Sequence, residues 1–92
     1  MNNKARVHLL IHGRVQGVFF RYETKKTAES LDLTGWVKNN PDNTVECVAE
    51  GEKDKLEKLV KWCNEGSDSA KVEKVDVKWT DYKGEFVSFD IR

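Results

Sequence analysis

The stretch GRVQGVFFR, residues 13–21, combines two glycines, a closing arginine and no acidic side chain. It follows a segment of alternating apolar residues and precedes one of helical periodicity, so it is read as a strand-to-helix loop. Such a loop exposes backbone N–H groups without internal partners, and the helix dipole adds about half a positive charge at that end. These groups favour an anion. Gly13 and Gly17 let successive amides turn inward as a concave nest, because glycine adopts backbone angles that side chains disfavour. The missing carboxylates keep competing negative charge out of the hollow.

Arg21 adds a second signal. A cation at a helix N-terminus opposes the dipole and costs roughly 0.3–1 kcal/mol when it serves the fold alone. Its planar guanidinium suits a phosphate resting on the amides, since the fork holds two oxygens at once. The residues by themselves leave another reading open, in which Arg21 pairs on the surface with Glu23, Glu29 or the chain end. The G-x3-G-x3-R spacing has neither the Gly-Lys-Ser/Thr of a Walker A loop nor the G-x-G-x-x-G of a dinucleotide site. A small anion is as far as the pattern reaches.

The remaining residues must position this loop. A chain of 92 residues, 38% hydrophobic, fits a single domain over residues 1–92 with one modest core. Its 16 basic and 16 acidic residues cancel, so no whole-molecule field draws in nucleic acid or an anionic membrane, and any anion site is local. The opening MNNKARVHLLIHG has an apolar run broken by His8 and His12, too short for a secretory leader or a membrane span. A cytoplasmic location is expected. Cys47 and Cys63 then read as reduced core thiols, and with no second Cys or His at ligand spacing, no metal is expected.

Residues 5–12 alternate, with Val7, Leu9 and Ile11 on one face and His8, Leu10 and His12 on the other, which predicts a strand. Residues 21–32 then predict a helix whose apolar stripe is Phe20, Thr24, Thr27, Ala28 and Leu31. GWVKNN and TVECVAEG form a hairpin around Asn40-Pro41-Asp42-Asn43. The next segment, EKDKLEKLVKWCNEG, predicts a second helix with Leu56, Leu59, Val60 and Cys63 inward and Gly66 as its stop. Val75, Val77 and Trp79 alternate as a fourth strand, and FVSFDIR closes the chain after a turn at Tyr82-Lys83-Gly84-Glu85.

Two helices with one apolar stripe each are both satisfied on the same face of a mainly antiparallel sheet. The predicted fold is therefore α+β, a ferredoxin-like βαββαβ sandwich with a short extra C-terminal strand. In that topology the first two strands are parallel and end at the same edge. The loop, Arg21 and the Lys38-Asn39-Asn40 end of the second strand converge there, and the returning last strand brings Arg92 nearby.

At this point the residues carry a resemblance. GRVQGVFFR, followed after a helix by GWVKN and a turn into TVE, resembles the acylphosphatase family, and the likeness extends through SAKVEKVDV to the closing FVSFDIR. It implies a small cytosolic hydrolase that cleaves acyl phosphates to a carboxylate and inorganic phosphate, with no metal and no cofactor. The arginine that closes the first motif, here Arg21, is implied to bind the phosphate. The asparagine that closes GWVKN, here Asn39, is implied to position the attacking water. The amides of Val15, Gln16, Gly17, Val18, Phe19 and Phe20 would form the cradle, and inorganic phosphate would leave as product or bind as inhibitor.

Two local features depart from the family pattern. Pro41-Asp42-Asn43 stands where Asp-Gly is usual, and Leu31-Asp32-Leu33 where Leu-Gly-Leu is common. Asn43 tolerates the left-handed conformation, whereas Asp32 makes a less comfortable helix stop. In the doublet Asn39-Asn40 the motif register favours Asn39.

Other residues support blander roles. His8 and His12 lie on the face away from the helices without a neighbouring nucleophile, and Trp36, Trp62 and Trp79 read as core or rim aromatics. Phe20 fits the helix stripe, while Phe19 is placed to shield the pocket. An RNA-binding sheet is the rival reading from another class, but the open face carries Glu46 and Glu50, which repel phosphates. A ligand-sensing domain without turnover is the second rival. With no large unassigned apolar surface, a monomer is expected.

Overall fold

The structure, a computed structural model, describes residues 3–92. The strands β1 (Lys4–Arg14), β2 (Thr34–Asn39), β3 (Val45–Glu52), β4 (Lys71–Thr80) and β5 (Phe89–Ile91) form one sheet in the order β4-β1-β3-β2-β5. Neighbouring strands are antiparallel except β2 and β5, which run parallel. The helix α1 (Phe20–Ser30) joins β1 to β2, and α2 (Lys53–Glu65) joins β3 to β4. This is the expected ferredoxin-like α+β arrangement, with the short last strand added beyond β2.

The alternation read along β1 is the register of the core. Val7, Leu9 and Ile11 lie opposite Ala49, Cys47 and Val45 of β3, and all six are fully buried. Phe20, Thr24 and Ala28 of α1 and Leu56, Leu59 and Cys63 of α2 are buried with them. Phe20 also meets Trp62 with ring centroids 5.3 Å apart, which couples the helices at the end where the loop enters α1. Cys47 and Cys63 are free and buried. Burial pushes the Cys63 thiol up to about 12 and the Cys47 thiol well above its ordinary value, so neither carries the charge that thiol chemistry requires.

Three features differ in detail from what the sequence pattern alone conveys. First, Val75, Val77 and Trp79 share the helix-facing side of β4, yet Val77 and Trp79 are exposed. β4 is an edge strand, so its far side chains reach past the cover that α2 gives the sheet centre.

Second, Glu50 does not lie open on the outer face. It is 1% exposed, accepts hydrogen bonds from the backbone N–H groups of Lys83 (2.7 Å) and Glu85 (3.3 Å), and pairs with the Arg6 guanidinium (3.4 Å). The connection after β4 crosses this end of the sheet and covers it, with Arg6 also against the Phe86 ring.

Third, α1 starts at Phe20 and ends at Ser30, so it begins one residue and ends two residues before the predicted 21–32. The chain then turns through Asp32 at φ +58, and the Leu33 N–H returns to the Ala28 carbonyl at 2.9 Å. This left-handed stop favours glycine. Asp32→Gly is expected to raise the unfolding free energy by about 1 kcal/mol in a denaturant titration, because it relieves the backbone angle and removes a carboxylate from the negative helix end.

Candidate active site

The topology brings four chain segments to one sheet edge. Ile11 of β1 and Asn39 of β2 both lie opposite Val45, β4 begins beside Arg14, and β5 ends beside Val37. The loop of residues 15–19 leaves β1 at this edge and enters α1.

Of the two loop glycines, only Gly17 belongs to the hollow. Its φ is +73 and a Cβ there would meet nothing within 4 Å. Gly13 is still inside β1, at an irregularity in the pairing with β4, where a Cβ would lie 2.1 Å from the Lys71 carbonyl oxygen. Its role is close strand packing rather than the amide nest expected from the sequence.

Each end of the loop is anchored. Val15 is buried at the start, and Phe20 is buried at the finish. Between them the Gln16 side-chain nitrogen donates to the carbonyl oxygens of Asn40 (2.8 Å) and Thr44 (2.9 Å), which fastens the loop to the β2–β3 turn. Phe19 caps α1 with φ +62 and gives no side-chain cap. The first helical bond runs from the Glu23 N–H to the Phe19 carbonyl. Among the described residues, the N–H groups of residues 15–20 donate to no other protein group.

Arg21 opens the helix on the same side. It lines a hollow of ≈ 260 Å³ with Val15, Gly17, Phe19, Phe20, Tyr22 and Ile91, none of them acidic. Among the described residues its guanidinium makes no ion pair or hydrogen bond, so the surface pairing with Glu23, Glu29 or the chain end is not formed. The structure thus holds a cation at the wrong end of a helix dipole without a protein counter-charge.

Asn39 ends β2 with its side-chain oxygen buried and without a hydrogen-bond partner among the described residues. It is not part of the hollow's lining. Asn40, by contrast, is committed to the turn. Its N–H bonds the Thr44 carbonyl at 2.9 Å and its side-chain nitrogen donates to the Thr44 hydroxyl at 3.0 Å. The two asparagines are therefore distinguished by their bonding: the Asn40 side-chain nitrogen is tied to the turn, whereas the buried Asn39 oxygen has no partner among the described residues. Asp42 closes the turn by accepting the Thr44 hydroxyl and N–H, and those bonds hold its carboxyl below the usual range. Asn43 takes the left-handed conformation at φ +73, as its type allows.

The remaining candidates lie elsewhere. His8 bonds Glu46 (2.7 Å) and His12 bonds Asp76 (2.9 Å) on the outer face, and each bond lowers its carboxyl partner's pKa. The Arg92 N–H reaches the Val37 carbonyl at 2.8 Å, but the guanidinium turns to the outer face over the Trp36 ring. Tyr22 and Ile91 line the hollow although sequence reasoning did not single them out. Tyr22 follows Arg21 directly, which is a weak signal, whereas Ile91 arrives only through the β2–β5 pairing.

Among the described residues no helix is long and apolar enough to cross a membrane. A family model for acylphosphatase matches residues 7–91. An acylphosphatase of Pelotomaculum thermopropionicum is 49% identical over 89 residues, covering 97% of each chain. Among solved structures, an acylphosphatase from Coxiella burnetii superposes with a TM-score of 0.92 at 41% identity, covering 98% of this chain and 94% of that one. The acylphosphatase of Bacillus subtilis gives a TM-score of 0.92 at 35% identity, with 96% and 98% covered. With the match running through both motifs and the whole sheet, the chain belongs to the acylphosphatase family, hydrolases that act on acid anhydrides.

Proposed function

We propose that the chain hydrolyses small-molecule acyl phosphates at the hollow beside Arg21, with the phosphoryl group held by the amides of residues 15–20 and the guanidinium, and water directed by Asn39. The observation that carries this reading is the set of unpartnered N–H groups ending at an unpaired arginine, in a hollow lined by no carboxylate. Those donors are fixed before any ligand arrives, because Val15, Gln16 and Phe20 tie the loop to the core and the turn.

The chemistry needs few groups. An acyl phosphate expels a carboxylate whose conjugate acid has a pKa of about 4.3, so no side chain has to protonate it at neutral pH. Negative charge spreads over the phosphoryl oxygens in the transition state, and fixed amides with one fork-shaped cation stabilise it by position. The Asn39 carboxamide is assigned the orienting of the water, so that a lone pair of the water oxygen faces phosphorus. A carboxamide is not basic, so the water proton passes to a phosphoryl oxygen of the substrate itself. The products are a carboxylate and inorganic phosphate, and phosphate competes for the same amides.

The test is hydrolysis of benzoyl phosphate in excess chelator, followed by its ultraviolet absorbance. Activity with competitive inhibition by phosphate is expected. Asn39→Ala should then lower kcat about tenfold while the inhibition constant for phosphate stays within twofold, since only water is misplaced. Weakened phosphate inhibition with intact turnover rejects the role given to Asn39, and a chain that hydrolyses nothing in this class rejects the activity.

A further inference from the structure

The hollow beside Arg21 is walled by apolar side chains that the fold leaves uncovered. Phe19 is 80% exposed, Tyr22 53% and Ile91 40%, and all three line this one hollow. They come from separate places, the end of the loop, the first turn of α1 and the last strand. Arg21 is the only charged residue among the lining groups.

Phe19 is the least expected of them. A phenylalanine at φ +62 occupies a backbone region that glycine fills without strain, and its ring gains almost no burial in return. Neither local conformation nor core packing accounts for the choice of residue. Strain at an exposed aromatic beside an anion-binding loop points to a ligand instead. The left-handed turn aims the neighbouring amides inward, and the ring then stands at the rim as a wall.

We infer that Phe19, Tyr22 and Ile91 form an acyl-group subsite that selects apolar and aromatic acyl phosphates over short or charged ones. This inference rests on the hydrolytic reading above. The size is suitable, because a cavity of about 150 Å³ accommodates a benzene ring and the hollow measures ≈ 260 Å³. A phosphoryl group on the amides thus leaves space for a ring or a short alkyl chain against the three side chains. An acyl group carrying a second phosphate would find no cation here besides Arg21, which the first phosphate occupies.

The experiment compares kcat/KM for acetyl, butyryl and benzoyl phosphates in the wild type and in the Phe19→Ala and Tyr22→Ala variants. Acetate and butyrate are leaving groups of nearly equal basicity, so their ratio reports contact with the alkyl chain. Partial burial of two methylenes predicts a butyryl-to-acetyl ratio of about five in the wild type, and the benzoyl-to-acetyl ratio should reach about ten. Either substitution should bring both ratios down at least threefold. Circular dichroism and an unfolding midpoint at or above the wild type would show that Phe19→Ala remains folded. A wild-type butyryl-to-acetyl ratio below two, or ratios that survive both substitutions, overturns the subsite while acetyl phosphate hydrolysis leaves the activity standing. Failure to hydrolyse any of the three acts on the hydrolytic reading itself.

Discussion

Arg21→Ala should lose roughly 10²-fold in kcat/KM on an acyl phosphate, about 3 kcal/mol of transition-state stabilisation, by analogy with removing one oxyanion donor. The inhibition constant for phosphate should rise with it, because the guanidinium meets the phosphoryl oxygens in the ground state as well. The same substitution should leave the unfolding midpoint unchanged or raise it. Among the described residues Arg21 has no protein partner to lose, and it opposes the α1 dipole, so its removal relieves roughly 0.3–1 kcal/mol. Opposite signs in activity and stability are the signature of a residue placed for a ligand. Arg21→Lys should recover little, since a point charge lacks the two-pronged geometry. An Arg21→Ala protein that is destabilised by more than 1 kcal/mol, or that hydrolyses acyl phosphate within threefold of the wild type, would overturn the assignment.

Glu50→Ala should act in the reverse sense, costing about 3 kcal/mol of stability with little effect on the site. The carboxylate is buried and satisfies the N–H groups of Lys83 and Glu85 together with Arg6. Removing it leaves the N–H groups of Lys83 and Glu85 without their carboxylate acceptor, although Arg6 retains its exposed partner Glu85. Glu50→Gln keeps one acceptor and should lose about half as much, because its NH2 group faces a backbone donor. Arg6, opposite Glu50 on β1, is five residues from Ile11, which places this anchor roughly 17 Å from the active-site edge. Urea midpoints measure the loss. Limited proteolysis should find cleavage concentrated at residues 81–88, and kcat/KM below the midpoint should stay within twofold. A variant as stable as the wild type would remove the anchoring role.

The contrast between these two residues explains what the sequence made legible. Arg21 could be read because its oddity is local: a cation at a helix start, after a loop without carboxylates, violates a rule that spans one turn. The core faces of β1 and α2 were equally local, since alternation and a three-to-four step need no knowledge of the partner. Glu50 was misread because its burial depends on residues more than thirty positions later crossing the outer face. Val77 and Trp79 alternate as a core strand would, and only the strand order shows that β4 is an edge. Gly13 and Gly17 looked equivalent in the loop. The bulge against β4 assigns the first to packing and leaves the second facing open space. Asn39 entered through the family motif rather than through any physical signal, and its distinction from Asn40 rests on the hydrogen bonds of a turn.

The Gln16 carboxamide has a dynamic consequence. Its nitrogen grips two carbonyls of the β2–β3 turn, 24 and 28 residues away, from the middle of the loop. Lifting either segment breaks the same pair of bonds, so the two halves of the pocket share one opening equilibrium instead of fluctuating independently. The pair of bonds thereby restrains the hairpin tip together with the loop, and the entropy of ordering both is lost at folding rather than at each encounter with substrate.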